Sequence, residues 1–303
     1  MSTTSSGILQ TISGEIQRLA ESSGRSVLGV SSFHGNGSGF AWDEHTMVTA
    51  YHVIRGAEEV TVRTSDGRKL SARVAGRFRR ADVAVLTVEA VLTPSEKGDS
   101  QSLKSGQFVL ALANSIEARP SVTSGIVTGA GRTVGGWRGV TIEDAIVTDA
   151  RVNPGYSGGP LVDASGRVIG MNVAYFSKRG IAVPVATISK VVDRVENGQP
   201  FKKAYLGILS HPVSLPADVA SSDGVGQDSG VMVCSVQDGT PAKLSGFSFG
   251  DIILRFDGKT VSDSEDLAGL LREEAIGKRT KVSVLRGGAV VDLEVTPATG
   301  RED

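Results

Sequence analysis

Short runs of apolar residues, several with strict alternation, follow one another through the first two thirds of the chain. From residue 26 onward these runs read SVLGVSSF, TMVTAYHV, EEVTVRTS, DVAVLTVEA, GQFVLALA, SGIVTGAG, DAIVTDA and RVIGMNVA. Many are bounded by glycine or aspartate, and short strands separated by turn residues are typical of all-β domains. The pattern therefore predicts an all-β barrel or sandwich.

Helical periodicity appears on both sides of this β-rich segment. An amphipathic helix is predicted over residues 7–21, with its end near Gly24, because Ile8, Ile12, Ile16 and Leu19 lie on one face. A second apolar stripe begins at Val185 and is stopped by Gly198 and Pro200. These signals predict an N-terminal helical segment at 1–25 and a first domain at 26–198.

The last third of the chain mixes helix and strand signals. Residues 199–203 read as a linker, and a compact α+β domain is predicted over 204–299. Asp257-Gly258 and Gly287-Gly288 are favourable hairpin turns between strand runs. Two short helices are predicted in the same domain, one starting at Thr240 and one containing Leu267.

Composition narrows the class of protein without naming a function. The 303 residues are 40% apolar and 21% charged, as in ordinary globular chains, and 32 basic residues balance 33 acidic ones. The basic residues form no stripe along the chain, so we expect no nucleic-acid partner. No run approaches the roughly 18 apolar residues of a membrane span, and the N-terminus lacks a charged region followed by an apolar one. The expectation is a chain without a membrane span, located in the cytoplasm.

Cysteine and histidine usage argues against disulfide and metal chemistry. Cys234 is the single cysteine, so no intramolecular disulfide can form. No Cys/His spacing resembles a zinc site. We therefore expect neither a metal nor another cofactor.

Residues 153–163, NPGYSGGPLVD, contain the strongest candidate for chemistry. A serine is a poor nucleophile unless a base accepts its proton and a third group orients that base. Ser157 has candidates for both, since His52 ends one apolar run and Asp82 begins another. Glycines around the serine would let the amides of Gly155 and Ser157 converge as an oxyanion hole. An ordinary glycine and proline turn between two strands is the alternative interpretation.

Two enzyme classes share the pattern G-x-S-x-G. In the α/β-hydrolase elbow a strand, the serine and a helix follow one another, and the acid and the histidine come later. Here Ser157 is followed by a strand, a turn and a second strand, and the only later histidine is His211 in a proline-flanked segment. The order His52, Asp82, Ser157 is the one found in chymotrypsin-like enzymes.

Three motifs in this order, VTAYHVI, DVAVLTV and NPGYSGGPLVD, are followed by VIGMNVA and a mixed α and β segment. Together they resemble the HtrA/Deg family of serine proteases with a C-terminal PDZ domain, over roughly residues 26–297. The resemblance implies a mainly β fold, with a chymotrypsin-like double β-barrel followed by an α+β PDZ domain.

The resemblance also implies roles for individual residues. Ser157 would be the nucleophile, His52 the general base and acid, and Asp82 the residue that orients His52, with the oxyanion hole formed by the Gly155 and Ser157 amides. The strand beside the substrate would contain Asn172, Val173 and Ala174. The resemblance further implies that Tyr156 replaces a commoner small polar residue, which could change how the loop settles.

Specificity and peptide binding are implied by resemblance as well. Val152 would line the S1 pocket and select small aliphatic side chains. Arg151, six residues before the serine, would favour acidic residues if its side chain pointed inward; a side chain reaching solvent would leave the aliphatic preference in place. The loop that receives a peptide C-terminus would consist of Tyr205, Leu206, Gly207 and Ile208.

The expected function is an ATP-independent serine endopeptidase of protein quality control that cleaves unfolded or damaged polypeptides. Its PDZ domain would bind peptide C-termini or regulate the protease. The alternative is a chaperone-like or peptide-binding protein with a latent protease site, because oxyanion loops of this family switch between ordered and disordered forms. The resemblance also implies a homo-oligomer, with a trimer as the expected form. It leaves export from the cytoplasm as the alternative location, because members of the family are often exported.

Overall fold

The computed structural model describes residues 7–33, 35–114, 121–137, 140–173, 179–199 and 202–301. The chain divides into two compact units, Met1–Gln199 and Pro200–Asp303. The predicted mainly β fold, with two barrels followed by an α+β domain, is confirmed. Each unit is described by itself below.

An amphipathic helix, α1 (Ile8–Gly24), opens the first unit and ends at the glycine near which the sequence predicted its end. Ile8 and Leu9 are exposed, and Gly24 is the one buried residue of the helix. The helix contacts its own unit near its C-terminal end, where the Ser23 hydroxyl donates to the carbonyl oxygen of Gly166 at 3.3 Å. Its apolar face is therefore only partly covered within this chain.

The first barrel closes in the order β1-β2-β3-β6-β5-β4, with antiparallel pairing throughout. Its strands are β1 (Val27–Ser32), β2 (Gly35–Ala41), β3 (Thr46–Ala50), β4 (Glu59–Arg63), β5 (Lys69–Phe78) and β6 (Val83–Val88). A short helix, α2 (Tyr51–Ile54), follows β3, and a 3-10 turn at Arg79–Ala81 precedes β6. Large side chains such as Phe40, Met47 and Leu86 are fully buried; Met47 and Leu86 lie in predicted apolar runs, whereas Phe40 lies in β2, which no run predicted.

The second barrel closes in the order β10-β11-β12-β9-β8-β7. Its strands are β7 (Phe108–Ala113), β8 (Ser121–Trp137), β9 (Val140–Thr148), β10 (Pro160–Asp163), β11 (Val168–Val173) and β12 (Gly180–Pro184). Small and medium apolar side chains, including Val109, Val127, Ile146 and Leu161, fill its interior. Helix α3 (Val185–Glu196) then buries its valine and isoleucine stripe and ends the unit.

The second unit is a mixed α+β domain. Its strands are β13 (Lys202–Tyr205), β14 (Ile208–Ser214), β15 (Ser229–Val236), β16 (Ile252–Phe256), β17 (Lys259–Thr260), β18 (Thr280–Arg286), β19 (Ala289–Val295) and β20 (Ala298–Arg301). The helices are α4 (Ala217–Ala220), α5 (Pro241–Leu244) and α6 (Ser264–Leu270). The main sheet has the order β14-β15-β16-β18-β19 with β17 beside β16, and β13 pairs with β20. Strand β14 therefore lies at an edge of the main sheet.

Candidate active site

Strand pairing in the first barrel brings His52 and Asp82 together. The last residue of β3, Ala50, pairs with Val83 at the start of β6, so the residues just beyond these two positions are neighbours. His52 lies in the short helix α2, directly after β3. The backbone N–H of Tyr51 donates to the carbonyl oxygen of Asp82 at 2.9 Å, which fixes the start of α2 against the turn before β6.

Asp82 binds His52 through both carboxylate oxygens. Its Oδ2 lies 2.6 Å from Nδ1 of the His52 ring, and its Oδ1 accepts the His52 backbone N–H at 2.8 Å. The Asp82 side chain is 2% exposed and that of His52 14% exposed, so little water competes for these bonds. A carboxylate only accepts hydrogen bonds, and we therefore assign the hydrogen of the neutral imidazole to Nδ1. This tautomer leaves Nε2 able to accept a proton.

Ser157 lies in the connection between β9 and β10 and is 4% exposed. Its carbonyl oxygen accepts the backbone N–H of Ser38 in β2 at 2.8 Å, so the serine is held against the first barrel. Gly158 donates to the Asn172 carbonyl oxygen, and Asn172 donates its N–H to Gly159. The candidate nucleophile thus lies where the two barrels meet.

Residues 153–156, called the Gly155 turn below, have a defined backbone geometry. The N–H of Tyr156 donates to the carbonyl oxygen of Asn153 at 3.0 Å, and Gly155 has a φ of 93°. Proline at the second position keeps φ negative there, and a positive φ at the third position is the mark of a type II turn. The Pro154–Gly155 peptide is then rotated by about 150° from its type I orientation. The Gly155 amide donates to no acceptor within the described part of the chain.

Ser38 supports this turn from the first barrel. Its hydroxyl donates to the Gly155 carbonyl oxygen at 2.7 Å and accepts the backbone N–H of Asn114 at 2.9 Å. Ser38 is completely buried. Ser38 is not among the site residues predicted from the sequence, although a serine enclosed by glycines in GNGSGF is a signal for it.

The residues expected beside the substrate lie in different environments. Val152 is half-buried and packs against the second barrel core, while the Arg151 side chain is exposed. Asn172 is fully buried, and its side-chain Nδ2 donates to the carbonyl oxygen of Pro160 at 2.9 Å. Val173 is buried at the end of β11, opposite Ile181 of β12. Ala174 lies outside the described residues.

The loop expected to receive a peptide C-terminus joins β13 to the edge strand β14. Tyr205 is exposed, Leu206 is buried, and Gly207 has a φ of 83°. The amides of Leu206 and Gly207 donate to no acceptor among the residues that the structure describes. Ile208 begins β14 and packs against the core of the second unit.

Among the described residues, no group of three or more His, Cys, Asp or Glu side chains could hold a metal ion. Across the same part of the chain, every helix is too short or too polar to traverse a lipid bilayer.

Comparison with known families matches both units. The family described as "Trypsin-like peptidase domain" matches residues 37–171, and the family described as "PDZ domain" matches residues 213–296. The first match contains His52, Asp82 and Ser157.

Curated relatives extend the similarity over most of the chain. A protein of Halomonas elongata named "Probable periplasmic serine endoprotease DegP-like" is 36% identical over 268 residues, which is 86% of this chain and 56% of that protein. A Brucella suis protein of the same name is 36% identical over 280 residues, covering 88% of this chain and 53% of that protein. The chain thus spans about half the length of these relatives.

The names of these relatives contradict the cytoplasmic location expected from the sequence. They are called periplasmic, which points away from the cytoplasm. The expectation was wrong because it depended only on the residue pattern of the N-terminus.

Solved structures share the fold at nearly full length. The "HtrA-type protease AlgW with tripeptide" is 31% identical with a TM-score of 0.68, covering 94% of this chain and 98% of that one. The same protease with a decapeptide is 28% identical with a TM-score of 0.70, and the match covers 94% of this chain and 99% of that one. A serine endoprotease from Yersinia pestis is 27% identical with a TM-score of 0.66, and the match covers 93% of this chain and 97% of that one. The chain therefore belongs to the HtrA/Deg family of trypsin-like serine proteases that carry a PDZ domain.

Proposed function

We propose that this chain is an ATP-independent serine endopeptidase that cleaves unfolded or damaged polypeptides. The observation that carries the proposal is the buried carboxylate of Asp82 bonded to Nδ1 of His52 in the first barrel, whose Ser38 donates its backbone N–H to the carbonyl oxygen of Ser157. The relatives named periplasmic endoproteases support an extension to protein quality control in the periplasm. The boundaries 26–198 for the protease part and 204–299 for the PDZ part belong to the same proposal.

In the proposed mechanism, His52 removes the hydroxyl proton of Ser157 through Nε2 while Ser157 Oγ attacks the peptide carbonyl carbon. Asp82 holds the ring in the required tautomer and stabilises the imidazolium that forms. The negative oxygen of the tetrahedral intermediate is bound by the Gly155 and Ser157 amides. His52 then protonates the leaving amine, and water hydrolyses the acyl-enzyme by the reverse roles.

Substrate selection follows from the surroundings of the serine. Val152 is half-buried and Arg151 is exposed, which supports a preference for small aliphatic side chains before the scissile bond. Because the Asn172 backbone is already bonded to the turn at 158–159, we assign substrate pairing to the strand end beyond it. Peptides with alanine or valine immediately before the scissile bond should be cleaved faster than peptides with aspartate there.

A fluorophosphonate probe tests the proposed active site. It should label the wild-type chain, and the label should disappear in Ser157→Ala but remain in Ser165→Ala, which changes an exposed turn serine. The labelled protein should cut a reduced and alkylated protein substrate and leave its native form intact. A folded chain that is not labelled, but protects the substrate from aggregation, would instead be a chaperone-like protein.

We further propose that the loop at 205–208 binds the C-terminal carboxylate of a peptide. The unused Leu206 and Gly207 amides support this, and the adjoining edge strand β14 offers a place for an added strand. Fluorescence anisotropy should show that a peptide with a free, apolar C-terminus binds at least about tenfold more tightly than its amidated form. Equal affinities would contradict carboxylate capture.

Light scattering would test the trimer that the family resemblance implies.

A further inference from the structure

The hydroxyl of Ser38 in β2 has a fixed direction. Its oxygen accepts the backbone N–H of Asn114 at 2.9 Å, and it donates to the carbonyl oxygen of Gly155 at 2.7 Å. Asn114 follows β7 and is 1% exposed, and its side-chain Nδ2 donates to the carbonyl oxygens of Val27 and Arg63. Since a backbone N–H can only donate, the one hydrogen of the Ser38 hydroxyl is left for Gly155.

The peptide group between Gly155 and Tyr156 is held at both of its polar atoms. Its carbonyl oxygen accepts the Ser38 hydroxyl, and its N–H donates to the carbonyl oxygen of Asn153 at 3.0 Å. The Tyr156 side chain adds a further hold, since it is 6% exposed and lies in the core of the second barrel. Because a peptide group is planar, this one cannot rotate without breaking at least one of these bonds.

The peptide group between Ser157 and Gly158 is held in the same way. Its carbonyl oxygen accepts the backbone N–H of Ser38 at 2.8 Å, and its N–H donates to the carbonyl oxygen of Asn172 at 2.9 Å. Ser38 thus binds both fixed peptides, one through its side chain and the other through its backbone. Any residue except proline would supply the backbone N–H, whereas the bond to Gly155 requires the hydroxyl.

The two amides proposed for the oxyanion hole belong to the peptide groups beside these. The Gly155 N–H is part of the Pro154–Gly155 peptide, and the Ser157 N–H is part of the peptide that lies between the two fixed ones. Gly155 has a φ of 93° and no side chain to restrict its backbone. The direction of its N–H therefore depends on the bonds that hold its own carbonyl group.

We propose that Ser38 is a positioning residue for the oxyanion hole. Its hydroxyl holds the Gly155 carbonyl oxygen, and this bond keeps the Gly155 and Ser157 amides directed at one point before any substrate binds. The inference rests on the proposed protease function and adds which residue outside the serine loop keeps the site competent. Ser38 acts through the backbone of Gly155 and is not itself a catalytic residue.

The test uses Ser38→Ala and Ser38→Cys in the full chain. Alanine removes the hydroxyl, whereas cysteine keeps a side chain of similar shape with a weaker S–H donor. Ser95→Ala is the matched control, because Ser95 is also buried in the first unit and its hydroxyl donates to the carbonyl oxygen of Ala41 at 2.7 Å. Thermal unfolding should show losses of the same order in the two alanine variants, about 2–10 °C each.

With a fluorogenic peptide, Ser38→Ala should lower kcat by about 10- to 100-fold while KM changes by less than about twofold. The loss is smaller than the roughly 10²- to 10³-fold effect of removing an oxyanion donor, because the amides remain and only their direction is released. Ser38→Cys should lower kcat by about 3- to 10-fold, the worth of a weakened hydrogen bond. Ser95→Ala should keep kcat within about twofold of the wild type.

A peptide aldehyde gives a second measurement, because its adduct with the serine places an oxyanion in the hole. Its affinity should fall in parallel with kcat/KM across the Ser38 variants and stay unchanged in Ser95→Ala. A structural loss alone would not confine the effect to kcat and to this inhibitor.

Three results would overturn the positioning role, namely unchanged kcat in Ser38→Ala, a loss found only in KM, or an equal loss in Ser95→Ala. If the alanine variant does not fold, unchanged kcat and unchanged aldehyde affinity in Ser38→Cys would overturn it instead. Fluorophosphonate labelling of the wild type separates this failure from failure of the proposed function. A labelled wild type with fully active Ser38 variants contradicts the role of Ser38 alone, whereas an unlabelled wild type contradicts the protease as well.

Discussion

Asp82 shows how one side chain both positions a residue and orients its ring. It adopts a left-handed backbone conformation with a φ of 58°, which aspartate tolerates better than most residues. One carboxylate oxygen holds the backbone of His52 and the other holds its ring. The position of His52 and its tautomer therefore depend on the same carboxylate.

We predict that Asp82→Asn lowers kcat by about 10⁴-fold while the fold is retained. An asparagine side chain has one oxygen and one NH2 group. The NH2 group must therefore point either at the backbone N–H of His52 or at the hydrogen on Nδ1, and both of these are donors. The ring would then favour the tautomer that cannot accept the serine proton at Nε2. Steady-state kinetics against a peptide substrate would measure the loss.

Asp144→Asn is the control for that prediction. Asp144 also has a positive φ, of 52°, but it is exposed on β9. Its variant should keep kcat within about twofold of the wild type. Comparable losses in the two variants would mean that backbone conformation, and not the bond to His52, explains the effect.

Gly158 is required by close backbone packing beside the serine. A Cβ atom at this position would lie 2.1 Å from the Ser38 carbonyl oxygen, and its φ is 87°. Gly67 has a similar φ of 90°, but nothing lies within 4 Å of a Cβ built on it. A side chain at position 67 would therefore be unfavourable only because of the left-handed backbone, whereas one at position 158 would also collide with Ser38.

We predict that Gly67→Ala lowers the free energy of unfolding by about 1–2 kcal/mol through its left-handed backbone alone. Gly158→Ala should lose at least a further 1–3 kcal/mol, roughly the cost of overpacking, and should lose catalysis because Ser38 must move. Urea denaturation followed by circular dichroism would measure both. Equal losses would show that the contact with Ser38 relaxes easily.

At the scale of elements, periodicity located helices and strands better than it located their ends. Strands β1, β3, β4 and β6 of the first barrel follow the apolar runs, whereas β2 and β5 lie outside them. The run at 124–131 predicted only part of β8, which covers Ser121–Trp137 because its ladder with β9 continues through several register shifts. Pairing with a neighbour extends a strand past its apolar residues, and one sequence window does not contain that partner.

The second unit contains an ion pair that joins strand β18 to the turn before β16. Arg286 binds both oxygens of Asp251 at 2.7 Å and also donates to the Gly246 carbonyl oxygen. Asp251 is 1% exposed, and the Ser248 N–H is a further donor to it. The carboxylate is thus buried with its charge compensated by one guanidinium.

Arg286→Ala should lower the free energy of unfolding of the second unit by about 3–5 kcal/mol, because it leaves a buried carboxylate unpaired. Arg279→Ala removes an exposed pair with Glu294 and should cost about 0–1 kcal/mol. Chemical denaturation of both variants would measure the difference. Similar small losses would mean that water reaches Asp251 once the arginine is removed.

For the whole molecule, the order of three motifs was enough to predict the class of fold and the residues of the candidate triad. The supports of the Gly155 turn were not predicted. Ser38 and Gly155 are 117 residues apart in sequence, and Thr123 is 28 residues from Arg151, whose carbonyl oxygen accepts its hydroxyl hydrogen. Such contacts depend on how two closed barrels meet, which no periodicity within one segment describes.

The contact between the two barrels at Ser38 also has a consequence for newly made chains. His52 and Asp82 come from the first barrel, whereas Ser157 and the Gly155 turn come from the connection between strands of the second. A chain that has formed only one barrel therefore has no complete set of reacting groups. Under the proposed function, proteolytic activity appears only when the unit has finished folding, so immature copies do not digest one another during synthesis.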